Sequence, residues 1–487
     1  MPFSFVWTVS SNSAGIGKYK EKKIWYNDKK LSYNFPKAGD SMERSKTKDM
    51  TAGSIPRLIL EFALPLMIGN IFQMLYNTVD SIVVGNFVGT QALAAVSSTT
   101  MITNMSVFFF NGFSIGATVI IGKYFGAKDH KLLHRAVETT MGATFVLCLL
   151  FTVSFLAGTD FMLRFMKTPA DVFDQAALYL RIYFAGVTGL LLYNMGSGIL
   201  RAVGDTKRPL YFLILTSLLN IFLDLLFVLV FHWGIAGVAY ATILAQFISA
   251  GATMAVLLRT RDIYRFSFAD LCLDRGLLSQ IFRVGLPTAL QSILTSFSNI
   301  FVQSYINFFG AVVMAGWGCY NKLDQFIMLP VLSMAMAATT FVAQNMGAHN
   351  EKRAIDGTVT SILMSLAITG AIAALLFGFA DTSMRLFTGD EPVIQAGVTF
   401  IHINIFFMLF NCVNQVLAGA LRGRGDSIGP MVIMLLTFVL IRQIYLYLMT
   451  RFINNTPMTV GFGYPVGWMS CCVLEVLYFY LFWKHRK

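Results

Sequence analysis

Charge is scarce in this chain. Asp, Glu, Lys and Arg make up 13% of its 487 residues while 56% are hydrophobic, and so few polar side chains could not cover a soluble protein of that size. Cysteine is thin as well. The six residues, at 148, 272, 319, 412, 471 and 472, show no Cys-x-x-Cys spacing and fall mostly in apolar runs, so they read as small buried hydrophobes rather than a disulfide framework or thiol metal site. Catalytic motifs are missing too. No Walker-type Lys-Ser/Thr follows the glycine corners at Gly204 and Gly425, and His-Glu-x-x-His does not occur, so neither an ATPase domain nor an enzyme is expected. The first 50 residues are Lys-rich and lack the apolar core of a signal peptide.

Long apolar runs are what the chain has in quantity. Twelve occur, over residues 58 to 83, 92 to 121, 136 to 158, 176 to 199, 210 to 231 and 234 to 258, then 284 to 308, 312 to 341, 355 to 380, 396 to 420, 430 to 450 and 466 to 483. In hydrocarbon every backbone polar group must be paired internally, so runs of about 20 apolar residues must be helices. The expected class is an all-α integral membrane protein with twelve transmembrane helices.

The chain also repeats itself. Leu200-Arg201-Ala202-Val203-Gly204-Asp205 and Pro209 recur as Leu421-Arg422-Gly423-Arg424-Gly425-Asp426 and Pro430, 221 positions later. Gly126-Ala127 and Lys131 recur as Gly347-Ala348 and Lys352, and Gly89 as Gly310; Leu64-Pro65 recurs as Leu286-Pro287 with a shift of 222. Six spans per half is an even number, so the two repeats enter from the same side and are parallel. This predicts a disordered basic extension over residues 1 to 53, an amino lobe over 54 to 258, a partly helical cytoplasmic linker over 259 to 283 and a carboxy lobe over 284 to 487. The membrane fold is expected to need nothing upstream of about Ser54. The glycine corners read as helix caps.

Thirty of the 37 Lys and Arg fall on one side of this topology. Basic loops resist translocation, so both termini are expected in the cytoplasm of a cell whose inner membrane holds the protein. The net charge of +12 follows from the basic extension and from topology, and predicts no nucleic-acid partner. A monomer surrounded by membrane lipid is expected.

Ionisable residues inside the spans are costly and therefore candidates for function. Asp80 lies late in the first span, with Tyr76 one turn earlier on the same face, and Pro65 removes a backbone hydrogen bond nearer the start, which makes this span a candidate hinge. Asp224 lies mid-span with Asn220 one turn before it, and Thr242 supplies a hydroxyl in the next span. Asp80, Asn220, Asp224 and Thr242 carry the hard oxygens that Na⁺ prefers, and the two acids are equally able to take up protons. The second copy has no such set: Asp80 aligns with Val302 or Phe301, Asn220 with Ile441 and Asp224 with Tyr445. That asymmetry favours function over a fold requirement. The second half has instead Lys322, Asp324, Arg442, Glu475 and His402; Lys322 and Asp324 cannot face each other on a helix, Glu475 is placed near enough to the cytoplasm to be solvated, and His402 reads as a hydrogen-bonded core residue.

The twelve spans, the parallel duplication and the elements Pro65 to Asp80, Leu200 to Pro209 and Asn220-x-x-x-Asp224 resemble the MATE (multidrug and toxic compound extrusion) transporters over roughly residues 54 to 483. The resemblance is strongest to the bacterial and archaeal branch related to DinF proteins. It implies a MATE-like fold of two lobes around a central cavity, and an antiporter that exports amphipathic cationic, drug-like compounds in exchange for Na⁺ or H⁺, with no cofactor beyond that ion. It further implies that Asp80, Asn220, Asp224 and Thr242 form the cation site, and that Tyr76, Tyr179 and Asn194 line the same cavity. Lys322 and Asp324 are cavity candidates in the carboxy lobe. The NorM-like branch uses carboxy-lobe acids, and the seventh-span position where one is expected is Thr295 here. The alternative cargo is a lipid-linked oligosaccharide, whose flippases need several basic cavity residues; a membrane-embedded enzyme would need convergent catalytic groups that this sequence does not show.

Overall fold

Apolar runs decide where the helices lie, and polar caps and glycines decide where they stop. The computed structural model describes residues 47–484, and the expected disorder of residues 1 to 46 lies outside the described residues. The amino lobe comprises α1 (Ile55–Val88), α2 (Thr90–Gly126), α3 (His130–Phe165), α4 (Ala170–Ala185), α5 (Val187–Ala202), α6 (Lys207–Val230) and α7 (Gly234–Arg259). The carboxy lobe comprises α8 (Arg275–Asn307), α9 (Ala311–Gly347), α10 (Glu351–Gly378), the short α11 (Ala380–Arg385), α12 (Glu391–Asn404), α13 (Met408–Arg424), α14 (Ile428–Phe452) and α15 (Pro457–Trp483). Among the described residues there is no strand.

Among the described residues nine helices are long and apolar enough to cross a bilayer, and the pairs α4–α5 and α12–α13 bring the count to eleven. The twelfth span is α8. Its 33 residues are long enough, about 50 Å at 1.5 Å per residue, but Gln291, Ser292, Thr295, Ser296, Ser298 and Asn299 dilute its hydropathy. The molecule is a multi-pass membrane protein. Two expected single helices are bent, α4–α5 by 46° and α12–α13 by 55°. At the first bend a Cβ on Gly186 would lie 2.3 Å from the side chain of Ile243, so glycine lets the chain turn against α7.

The linker is shorter than expected. Asp274 caps α8 by accepting from the backbone N–H groups of Gly276 and Leu277 at 2.8 and 3.1 Å, so helix begins nine residues before the apolar run. The remaining strap contains one 3₁₀ turn, Phe268–Asp270, and docks on the amino lobe. The Ser267 N–H donates to Glu138 at 2.8 Å, and the rings of Tyr264 and Phe266 are fully buried. Arg208 donates to the Tyr264 hydroxyl at 3.0 Å.

The sequence repeat is also a repeat of backbone geometry. Positive φ angles pair at Gly89 and Gly310, Lys128 and His349, and Gly204 and Gly425. Asp129 caps α3 as Asn350 caps α10, through Leu132 and Arg353. The Thr118 hydroxyl donates to the Gly198 carbonyl at 3.0 Å, and Thr339 donates to that of Gly419 at 2.9 Å. The glycine corners are capped as expected: Asp205 accepts from Arg208 N–H and Asp426 from Gly429 N–H, both at 3.1 Å.

The lobes meet at the end of the bundle that carries the basic corners. There α2 and α9 cross so tightly that a Cβ on Gly126 would lie 1.9 Å from the Gln344 carbonyl oxygen, and one on Gly347 would lie 1.9 Å from that of Lys123. The first helix of each half packs on the other half: Leu58, Ile59, Phe62 and Ala63 of α1 against Met334, Ala337, Ala338 and Phe341 of α9, and α8 against Gly112 and Gly116 of α2. Toward the opposite end the lobes part. Residues 112 to 122 of α2 and 333 to 345 of α9 are nearly all buried, whereas the outer halves of α1, α2 and α9 are exposed on more than one face. Exposed polar stripes run along them, Gln73, Asn77 and Ser81 on α1 and Ser97, Thr100 and Asn104 on α2. Such stripes favour contact with water over contact with lipid.

One expectation fails at the basic end. Met50 is fully buried among Ile59, Phe62, Ala337 and Phe341, so the fold does use residues upstream of Ser54, because their backbone groups find partners in both lobes.

Candidate functional site

Helix α6 packs against both α1 and α7, and α4 packs against α2 and α7. That arrangement gathers residues separated by up to 170 positions in the chain. Asp224 is 0% and Asn220 2% exposed, on one face of α6 as the four-residue spacing dictates. Asp80 comes from the outer half of α1, within electrostatic reach of Asp224. Tyr76 and Tyr179 each feel both acids. Tyr179 stacks on Tyr183, with ring centroids 6.3 Å apart and planes 15° apart. Gln246 of α7 lies beside the Tyr183 hydroxyl.

Five polar atoms in this cluster are buried with no protein hydrogen-bond partner: Oδ1 of Asp80, both carboxylate oxygens of Asp224, and the amide oxygen and nitrogen of Asn220. Buried polar groups are rarely left in that state, since each costs about 1–3 kcal/mol or more when charged. Carboxylate and amide oxygens are the kind of donor that suits a proton or a small hard cation.

Other expected members are held differently. Thr242 donates to the Val238 carbonyl one turn back at 3.0 Å, which leaves its oxygen able to accept or coordinate. Asn194 is committed to its own helix: its amide donates to the Leu190 carbonyl at 2.9 Å, and its backbone carbonyl accepts from Ser114 at 2.7 Å. Pro65 lies inside an unbroken α1, between the turns packed on the carboxy lobe and those packed on α6, where Gly69 faces Leu213.

The second-half candidates have carboxy-lobe partners. Asp324 accepts from the Tyr320 hydroxyl at 3.2 Å, and the Lys322 ammonium lies 5.8 Å from the centroid of the Phe387 ring. Arg442, 2% exposed, donates to Ser298 at 2.7 Å and Asn299 at 2.9 Å and sits over the Tyr464 ring. The expected solvation of Glu475 is wrong: it is 0% exposed, with the charge of Arg422 as its counterweight. Packing of α15 on α13 seals it. His402 is no core residue either; it is exposed, with its ring 4.6 Å from that of Phe377.

Sequence reasoning missed Tyr183, Gln246 and the stripe from Gln73 to Ser81. The signal for the stripe was present, since polar residues four apart in an apolar helix share a face. Tyr183 and Gln246 had no such mark.

Comparison with known proteins places this geometry. The MatE family signature matches residues 65–226 and 287–448, two segments whose starts are 222 positions apart, as in the internal repeat. The chain is 31% identical over 449 residues to a probable multidrug resistance protein, YpnP, of Bacillus subtilis, covering 91% of this chain and 99% of that protein. It is 28% identical over 454 residues to a second such protein, YoeA, of the same organism, covering 92% and 98%. A solved structure described as the outward-facing conformation of a multidrug resistance MATE family transporter superposes with a TM-score of 0.84 at 24% identity, covering 89% of this chain and 96% of that one.

Proposed function

Because this chain belongs to the MatE family of membrane transporters, we propose that it exports drug-like compounds from the cell by antiport against Na⁺ or H⁺. The observation that carries this reading is the group of five buried atoms on Asp80, Asn220 and Asp224 that no protein group partners. An ion entering from outside neutralises Asp80 and Asp224. A cationic substrate held by the same charge then loses its hold, and that reciprocal coupling is what an exchanger requires. The stacked Tyr179 and Tyr183 supply ring faces to such a cation. The coupling ion and the amphipathic cation are both cargo, and no further cofactor is invoked.

Access alternates as the lobes rock, closing the outer cleft and opening the basic-end seam, with α1 flexing at Pro65. In this reading the basic end is cytoplasmic and the protein works as a monomer in the cell membrane. Export of anionic lipid-linked sugars would need several basic groups facing the cleft. Arg442 is held by Ser298 and Asn299, which leaves Lys322 to serve alone.

The test is ethidium efflux from cells expressing the chain, comparing wild type with Asp80→Asn while Na⁺ and pH are varied independently. Efflux that needs Asp80 and follows one gradient supports the reading and names the ion. Undiminished efflux in the variant removes it.

A further inference from the structure

The seven residues before α1 grip both lobes at once. The Lys48 N–H donates to the Val203 carbonyl of the amino lobe at 2.9 Å. Two residues later the Met50 N–H donates to the side-chain oxygen of Gln344 in the carboxy lobe at 2.9 Å, and the Met50 carbonyl accepts from Asn345 and Arg353, each at 3.2 Å. Arg353 also donates to the Gly53 carbonyl at 2.8 Å. Gln344, fully buried, spans the seam itself: its amide nitrogen donates to the Ala202 carbonyl of α5 at 2.8 Å while its oxygen holds Met50.

The fit is steric as well as polar. Gly204, at φ +84°, packs so close that a Cβ there would lie 2.4 Å from the Lys48 carbonyl oxygen. The Lys48 ammonium is paired with Glu61 of α1. The strap before α8 is different in kind. Its Ser267 and Asp274 N–H groups are held by Glu138 and Thr139, both on α3 of the amino lobe.

For the basic-end seam to open, Ala202 and Val203 must separate from Gln344 and Arg353. A segment bonded to both sides cannot stay bonded to both. We propose that residues 48–53, clamped by Gln344, are a bolt across the seam, and that Gln344 is a positioning residue that sets the balance between the two access states. The inference rests on the alternating-access reading of the fold. Releasing the bolt costs the outer-open state its hydrogen bonds to Met50 and Ala202, so weakening the bolt favours opening at the basic end.

Spin labels on Lys131→Cys and Lys352→Cys, repeat-related exposed positions on α3 and α10, read the width of the basic end by distance measurement in lipid nanodiscs, with the six native cysteines replaced. Gln344→Ala is expected to raise the wide-distance population roughly tenfold, the loss of two ordinary hydrogen bonds. Gln344→Glu, which sets a carboxylate oxygen against the Ala202 carbonyl, should shift the population in the same direction. Gly204→Val should displace Lys48 and shift the population in the same direction. If Gly204→Val does not fold, Arg353→Lys, which loses the two-pronged grip on Met50 and Gly53, probes the bolt from the carboxy lobe. Unchanged distances in Gln344→Ala and in the second variant, with unfolding temperatures near wild type, overturn the proposal. Shifted distances without drug efflux keep the bolt and discard the exporter, and efflux with unshifted distances does the reverse.

Discussion

The middle of α6 and the middle of α14 occupy the same register in two copies of one fold and are built to opposite ends. On α6, Asn220 and Asp224 are buried with their polar atoms unpartnered by protein. On α14 the matching positions are Ile441 and Tyr445, and the adjacent Arg442 is tied to Ser298 and Asn299. At the basic end the copies agree closely, down to the hydrogen bonds of Thr118 to Gly198 and Thr339 to Gly419. The halves keep what forms the common seam and differ where cargo is handled. Arg442 has protein partners at its guanidinium and serves the scaffold, whereas the acids and amide of the amino-lobe cluster have none.

Substitutions can break this contrast. The largest effect is expected from Asp80→Asn and Asp224→Asn, each lowering ion-coupled efflux about a hundredfold, with the unfolding temperature within about 3 °C of wild type because the acids bond to no scaffold group. A large fall in stability in either variant would mean the amino-lobe acids serve the fold as Arg442 does. Next, Arg442→Ala should destabilise the protein by about 2–4 kcal/mol, since Ser298 and Asn299 lose a charged partner. Efflux per folded molecule should stay within about twofold, checked by thermal unfolding beside transport in proteoliposomes. Loss of efflux without loss of stability would erase the contrast.

Smaller effects sharpen it. Pro65→Ala restores a backbone bond to Glu61 and should slow turnover roughly fivefold while apparent substrate affinity holds; a change in affinity alone would count against a hinge. Lys322→Gln should alter apparent affinity for a cationic substrate by only about twofold, because its exposed charge is screened. A tenfold change measured by direct binding would bring the carboxy lobe into the substrate site.

Much of the fold was legible because hydrophobicity is read locally. The bends at Gly186 and after Asn404 were not, since a glycine inside a 20-residue apolar run carries no sign of the side chain it will meet. The boundary near residue 284 followed the edge of the apolar run, but α8 starts at its Asp274 cap. Glu475 was misplaced for a similar reason: its depth depends on α13 covering it, which no feature of α15 alone reveals.

The candidate acids were found because a charge inside an apolar run is conspicuous wherever the chain folds. Their common location was not readable, because it depends on how α1, α4, α6 and α7 cross. The same holds for Met50 and Gln344, 294 residues apart and joined by one hydrogen bond. Composition and period alone determined a duplicated membrane bundle, since hydrocarbon forces every backbone group into helices. Tertiary structure alone decided which polar groups are satisfied, which are left for cargo and which end of the bundle is shut, because those depend on packing between distant segments.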